Sequence, residues 1–138
     1  PSQLKNVTKH NAQSIDDTIR DIAGADFYVG LNHGPSWIAY SLAIPFIMVT
    51  GVSEEWNDVP NPYRIAINHD VCGIGCFNDP DLPIDRDWNW CPRGKNYACT
   101  REITPEMVTQ TIDRLMFDYG LVDDIKEEDN AVEKGVVR

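Results

Sequence analysis

Apolar residues recur along this chain with two periods. Ile15, Ile19, Ile22 and Ala23 keep the spacing of one helix face. Ser14, with Asp17 three positions on, predicts a capping box at the start of that helix, and Gly24 a stop at its end. Residues 27–31 and 46–49 are short continuous apolar runs, the pattern of buried strands. Between them Asn32-His33-Gly34 reads as a turn. Pro35 suits the first position of a helix running to about residue 43, and Pro45 ends it. Strand, crossover helix and strand make a βαβ unit, which implies a parallel sheet. Residues 4–7 are a candidate for one more strand.

The pattern changes after Thr50. Pro60, Asn61 and Pro62 punctuate the chain, and residues 63–67 alternate like an edge strand. Residues 70–100 show no helical period and contain Pro80, Pro83, Pro92, Trp88 and Trp90. A loop that long inside a small domain needs something to tie it down. Thr104, Pro105 and Glu106 open a last helix with a cap, a first-position proline and an early acid. Its stripe is Val108, Ile112, Leu115, Met116 and Tyr119, and Gly120 closes it. The fold class expected is α/β: a small parallel sheet flanked by helices, with the irregular 70–100 segment inserted before the last helix. The 138 residues fit one domain spanning 1–138, with an acidic tail at 121–138 read as solvated.

Composition narrows the partners. Twelve basic against 22 acidic residues give a net charge of −10. Nucleic acid or an anionic membrane is therefore not expected as a partner, since phosphates need a basic surface. No apolar run approaches the roughly 20 residues of a membrane span. The N-terminus lacks a signal-peptide pattern, so a cytoplasmic location is expected. The chain begins Pro-Ser-Gln rather than Met, as a trimmed chain or a fragment would.

Two places carry candidate chemistry. The turn from Gly30 to Trp37 joins the C-terminal end of a parallel strand to a helix N-terminus, the edge where ligands of open α/β sheets bind. Free N–H groups and the helix dipole favour an anion there. Gly34 lets a ligand oxygen approach the backbone, and Asn32, His33 and Ser36 add side-chain donors. The competing reading is a plain turn capped by Ser36. No glycine-rich nucleotide fingerprint is present. A Ser36–His33 nucleophile is disfavoured, because neighbours on a turn seldom adopt that geometry and no orienting acid is evident.

The second place is the cysteine cluster. Cys72, Cys76, Cys91 and Cys99 are separated by three, fourteen and seven residues. Four thiolates around one iron or zinc ion, two disulfides, or free thiols all remain open. A metal would offset the cost of ordering the long loop, and an intracellular setting disfavours disulfides. His69, close to Cys72, is an alternative ligand; His10 reads as a surface residue.

Residues 25–39, running Ala-Asp-Phe-Tyr-Val-Gly-Leu-Asn-His-Gly-Pro-Ser-Trp-Ile-Ala, resemble the donor-binding stretch of heptosyltransferase-like GT-B glycosyltransferases, and most of all their autotransporter O-heptosyltransferase branch. Asn61-Pro62-Tyr63-Arg64 is similar too. So are Cys72 and Cys76 followed by Phe77-Asn78-Asp79, then Trp90-Cys91-Pro92, and the run from Cys99 to Pro105. The resemblance covers roughly residues 14–116. It implies a Rossmann-like domain, half of a GT-B fold, that binds a nucleoside diphosphate-sugar resembling ADP-heptose. It also implies a structural iron held by the four cysteines. Asn32, His33, Gly34, Pro35 and Ser36 would then surround the donor's diphosphate and sugar, with no divalent cation required. Two departures stand out. Three residues separate Cys72 from Cys76 where the resemblance implies two. The chain also has length for only the C-terminal half, so the N-terminal glycosyltransferase domain and its catalytic acid or base would lie elsewhere. No catalytic residue is assigned, the fragment alone is expected to be inactive, and a homo-oligomer is left open. The alternatives are a non-enzymatic, metal-stabilised α/β binding module and a rubredoxin-like electron carrier.

Overall fold

Strand β2 (Phe46–Val49) is the axis of the domain. It pairs in parallel with β1 (Tyr28–Leu31) on one side and β3 (Arg64–Ile65) on the other, in the order β1-β2-β3. Tyr28 lies opposite Phe46 and Leu31 opposite Val49, while Met48 lies opposite Arg64. Both faces of β2 are covered, which is why its sequence is continuously apolar. Phe46 and Met48 join Ile22, Ala39 and Val59 on one face, with Tyr28, Ile38 and Ile44 packed against them. Ile47 joins Tyr63, Ile65 and Leu115 on the other. The computed structural model describes residues 7–82 and 91–122. Residues 4–6 of the strand expected at 4–7, Pro83, Trp88, Trp90 and all but the first two residues of the acidic tail lie outside the described residues, and Val7 is not in a strand.

Helices α1 (Ile15–Ala23) and α2 (Gly34–Ser41) cover the first face, and α5 (Pro105–Asp118) the second. At α1 the Ser14 hydroxyl accepts the Asp17 N–H at 3.2 Å, and at α5 the Thr104 hydroxyl accepts the Met107 N–H at 3.3 Å. Each satisfies an otherwise orphaned donor of the first turn. Gly120, at φ 64°, turns the chain after α5 in the left-handed region that suits glycine.

Three expectations shift. Helix α2 begins at Gly34 rather than Pro35 and ends at Ser41 rather than 43, because Ala43 takes φ 55° and reverses the chain into β2. His33, not Ser36, is its N-cap residue, and no side chain caps it. Strand β3 is two residues long, since the Ile67 carbonyl already accepts the Asp70 and Val71 N–H groups of α3 (Asn68–Val71), each at 3.1 Å. The segment read as structureless holds helical turns: the end of α3, a 3-10 turn at Cys76–Asn78, and α4 (Ala98–Arg101). Helices α3 and α4 pack against one another. Among the described residues no helix is long and apolar enough to cross a membrane.

Candidate functional site

All three strands run the same way, so β1 and β2 end on one edge of the sheet. A cavity of about 510 Å³ opens there. Leu31, Asn32 and Trp37 form one wall, Val49 to Ser53 the floor, and Phe77, Thr100 and Ile103 the far wall. Its described lining includes no Lys, Arg, His, Asp or Glu. An uncharged cavity of this size suits a base or a sugar better than a diphosphate.

A buried polar network supports the floor. The Asp58 carboxylate, with no side-chain exposure, accepts from Asn32 Nδ2 at 2.5 Å, Ser53 Oγ at 2.5 Å and Arg64 Nε at 2.6 Å. Arg64 Nη2 and Asn68 Nδ2 donate to the Ser53 carbonyl at 3.1 and 3.4 Å. Thr50 Oγ1 lies 2.8 Å from Ser53 Oγ. Asn57, which also lines the cavity, adjoins Asp58. Arg64 stands out in the sequence only as part of the Asn61–Arg64 similarity, and patterns give no hint of Asp58 or Ser53, because nothing local ties residue 58 to residue 32.

The five turn residues do different things. Asn32 lines the cavity, but its Nδ2 donates to Asp58 Oδ1 at 2.5 Å and lies 3.5 Å from Ser53 Oγ. His33 is exposed. Pro35 has no N–H to offer. Ser36 is fully buried, its hydroxyl donates to the Leu31 carbonyl at 2.5 Å, and its N–H donates to the His33 carbonyl at 3.0 Å. Ser36 is thus turned inward and holds the turn together, rather than facing a ligand as the sequence suggested. The Tyr28 phenol also bonds to Ser36; burial raises its pKa and this bond partly opposes the rise. Gly34 faces open space: no neighbouring heavy atom lies within 4 Å of where its Cβ would sit. As the first residue of α2 it has no intrahelical acceptor for its N–H.

All four cysteines are free thiols, with Cys76 and Cys99 buried and Cys72 and Cys91 half-buried. Burial raises the Cys99 pKa, the Thr100 hydroxyl opposes this, and the other three cysteines reinforce it. The four sulfurs therefore lie within electrostatic reach of one another. Burial also raises Cys76, against a bond from Arg93. At Cys91 burial is outweighed by the backbone N–H groups of Tyr97, Arg93, Lys95 and Gly94, and the pKa falls. Such N–H groups stabilise a thiolate, the form that ligates metal. The donor set fits a four-sulfur iron or zinc site in its chemistry. Among the described residues, however, no three His, Cys, Asp or Glu side chains are grouped so as to hold an ion. His69 is not aimed at the cluster; its Nε2 pairs with Glu54 Oε2 at 2.8 Å. His10 pairs with Asp21 at the surface.

This segment leans on the end of β2. A Cβ on Gly75 would meet the Ser53 carbonyl carbon and the Glu54 nitrogen at 2.7 Å. Phe77 N–H donates to the Val52 carbonyl and Glu54 N–H to Asn78 Oδ1, each at 2.8 Å. The Glu54 carboxylate accepts the Gly75 N–H, which together with His69 lowers its pKa. The cysteine segment and the cavity floor are thus one packed unit.

No protein-family model matches the chain. Over 106 residues it is 35% identical to the autotransporter heptosyltransferase BAHTCr of Citrobacter rodentium, covering 73% of this chain and 25% of that protein. It is 33% identical over 106 residues to the autotransporter heptosyltransferase TibC of Escherichia coli, covering 73% and 26%. The crystal structure of dodecameric, iron-containing heptosyltransferase TibC in complex with ADP-D-β-D-heptose superposes with a TM-score of 0.69 at 29% identity. It covers 80% of this chain and 30% of that one. The chain spans about a quarter of the length of the curated relatives it matches.

Proposed function

The chain is a homologue of the autotransporter heptosyltransferases, and from that premise we propose that it is the donor-binding part of such a glycosyltransferase, the C-terminal half of a GT-B arrangement. The observation that carries this is the uncharged cavity at the C-terminal strand edge, beside the open N-terminus of α2 at Gly34. The bound ADP-D-β-D-heptose of TibC supports a donor of that kind.

The diphosphate lies at Gly34, where the free N–H and the helix N-terminus favour negative charge. His33 borders it. The uncharged remainder of the donor enters the cavity between Trp37 and Phe77. In the transfer, an acceptor oxygen bonds to the anomeric carbon as the bond to the diphosphate breaks, and ADP leaves with that electron pair. This chain's part is to hold the donor still and stabilise the departing charge. The acceptor's proton goes to a group supplied by the rest of the enzyme.

Cys72, Cys76, Cys91 and Cys99 would be the residues to hold one iron or zinc ion, which would supply a structural cross-link rather than a reaction step, beside the wall that carries Phe77 and Thr100. Unpaired thiols suit the reducing cytoplasm, and dodecameric TibC supports assembly with further copies.

Ligand-observed NMR with ADP-heptose tests the proposal. Saturable binding, competed by ADP and much weaker for a uridine diphosphate sugar, is expected. A folded chain that binds no nucleoside diphosphate would overturn it and favour a metal-stabilised module without donor binding.

A further inference from the structure

We propose that the open edge of β1, together with the overhanging helix α1, is a docking slot for a further parallel strand. That strand belongs to the same enzyme's polypeptide, N-terminal to this chain. The inference rests on the donor-binding reading and deepens it: the sheet of the donor domain continues past β1.

The Tyr28 N–H donates to the Pro45 carbonyl at 2.9 Å, so Tyr28 turns its backbone groups toward β2. Backbone groups alternate in direction along a strand, so the Val29 N–H and C=O and the Leu31 N–H point away from β2. None of the three has a partner among the described residues. On that side only the Leu31 carbonyl is taken, by the His33 N–H at 2.9 Å and the Ser36 hydroxyl at 2.5 Å. A donor, an acceptor and a donor thus stand in a row, as an incoming strand requires. The edge carries no Lys, Pro or bulge, the usual guards against pairing, and its Val29 and Leu31 side chains are exposed.

Helix α1 is half uncovered in the same place. Ile15, Ile19 and Ile22 share one of its faces, yet Ile22 is 6% exposed and Ile15 64%. Tyr40 of α2 shares a groove with Pro60 and Pro62, on the flank of β3. Ile38 and Leu42, on the opposite flank of α2, share one with Ile19. Helix α1 therefore lies on the side of α2 away from β3, toward the open edge of β1. Crossovers between parallel strands are right-handed. Because α1 and α2 cover the same face, a strand feeding α1 lies across β1 from β2, on the open edge.

The length of the relatives favours one occupant. The matched region covers 25% of BAHTCr and 30% of the TibC chain, where one whole domain of two would cover nearer half. The polypeptide that fills the slot is therefore read as the remainder of this same domain. Leu31 also lines the cavity, so the added strand would continue its wall.

Hydrogen–deuterium exchange at residue level, on this chain and on the protein made from the whole reading frame, tests the inference. In this chain, a monomer by sedimentation, the Val29 and Leu31 amides should exchange fast. In the full-length protein they should slow by at least about tenfold. Val29→Pro removes only the outward N–H, a change edge strands tolerate. It should lower the melting temperature of the full-length protein more than that of this chain. A reading frame with no polypeptide before residue 1 overturns the inference. So does equal exchange of these amides in the two proteins, or an equal loss of melting temperature. Slow exchange in this chain by itself also overturns it: in a dimer a second copy fills the edge, in a monomer the chain's own residues do. Should Val29→Pro not fold, the exchange of the wild-type proteins still decides. Titration with ADP-heptose separates the two readings. Donor binding that persists beside any overturning result leaves the donor-binding reading standing, and its absence from the folded full-length protein overturns that reading too.

Discussion

The carbonyl oxygen of Cys99 lies 2.5 Å from the point where a Cβ on Gly51 would sit. Only glycine lets α4 approach the end of β2 this closely. The contact joins the cysteine segment to the cavity floor through backbone, so a disturbance of either is felt by the other.

Gly51→Ala should therefore destabilise the domain. The added methyl would meet the Cys99 backbone and, at 2.9 Å, Thr100 Oγ1. Overpacking of this kind costs about 1–3 kcal/mol. Urea denaturation of wild type and variant is the check; equal midpoints would contradict the packing described.

Protein purified under reducing conditions should carry one iron or zinc ion per chain, by elemental analysis. Replacing Cys99 by Ser should lower metal content and stability together, because structural metal binding contributes about 10 kcal/mol or more to folding. Metal-free protein with two disulfides by mass spectrometry would exclude the four-sulfur site.

Tyr63 gives a pH dependence. Burial, then its hydrogen bond to Asp118 Oδ2 at 2.8 Å, pushes the phenol up to about 12. A folded pKa above the unfolded value of about 10 gives stability that is complete below pH 10. That stability is lost as pH rises from there through about 12. Tyr63→Phe should remove this alkaline loss. Parallel stability–pH curves for the two proteins in that window would refute the assignment.

Much of the scaffold was legible in sequence because local signals agree with the tertiary structure. The apolar stripe containing Leu115 faces Ile47, and Ser14 and Thr104 cap their helices. The box read at Ser14 closes only halfway, since Asp17 Oδ2 accepts the Gln13 N–H instead of that of Ser14. Strand β3 was overestimated because alternation at residues 63–67 says nothing of the α3 turn that cuts it short. The site was harder to read. Cysteine spacing announces a cluster, but no pattern along the chain reveals that Asp58 meets Asn32 across 26 residues. Nor does a serine three residues into α2 disclose that its hydroxyl turns back to Leu31.

The most direct test of donor binding uses Gly34. Because no neighbouring heavy atom lies within 4 Å of its would-be Cβ, Gly34→Val should fold as well as wild type, and its side chain would fill only the space assigned to the diphosphate. Calorimetric titration of both proteins with ADP-heptose, alongside their melting temperatures, is the measurement. Saturable binding by wild type and loss of at least about tenfold in Gly34→Val, at unchanged melting temperature, is the predicted result. Equal affinity in the two proteins would contradict the account, because the donor's diphosphate would then bind somewhere other than the N-terminus of α2.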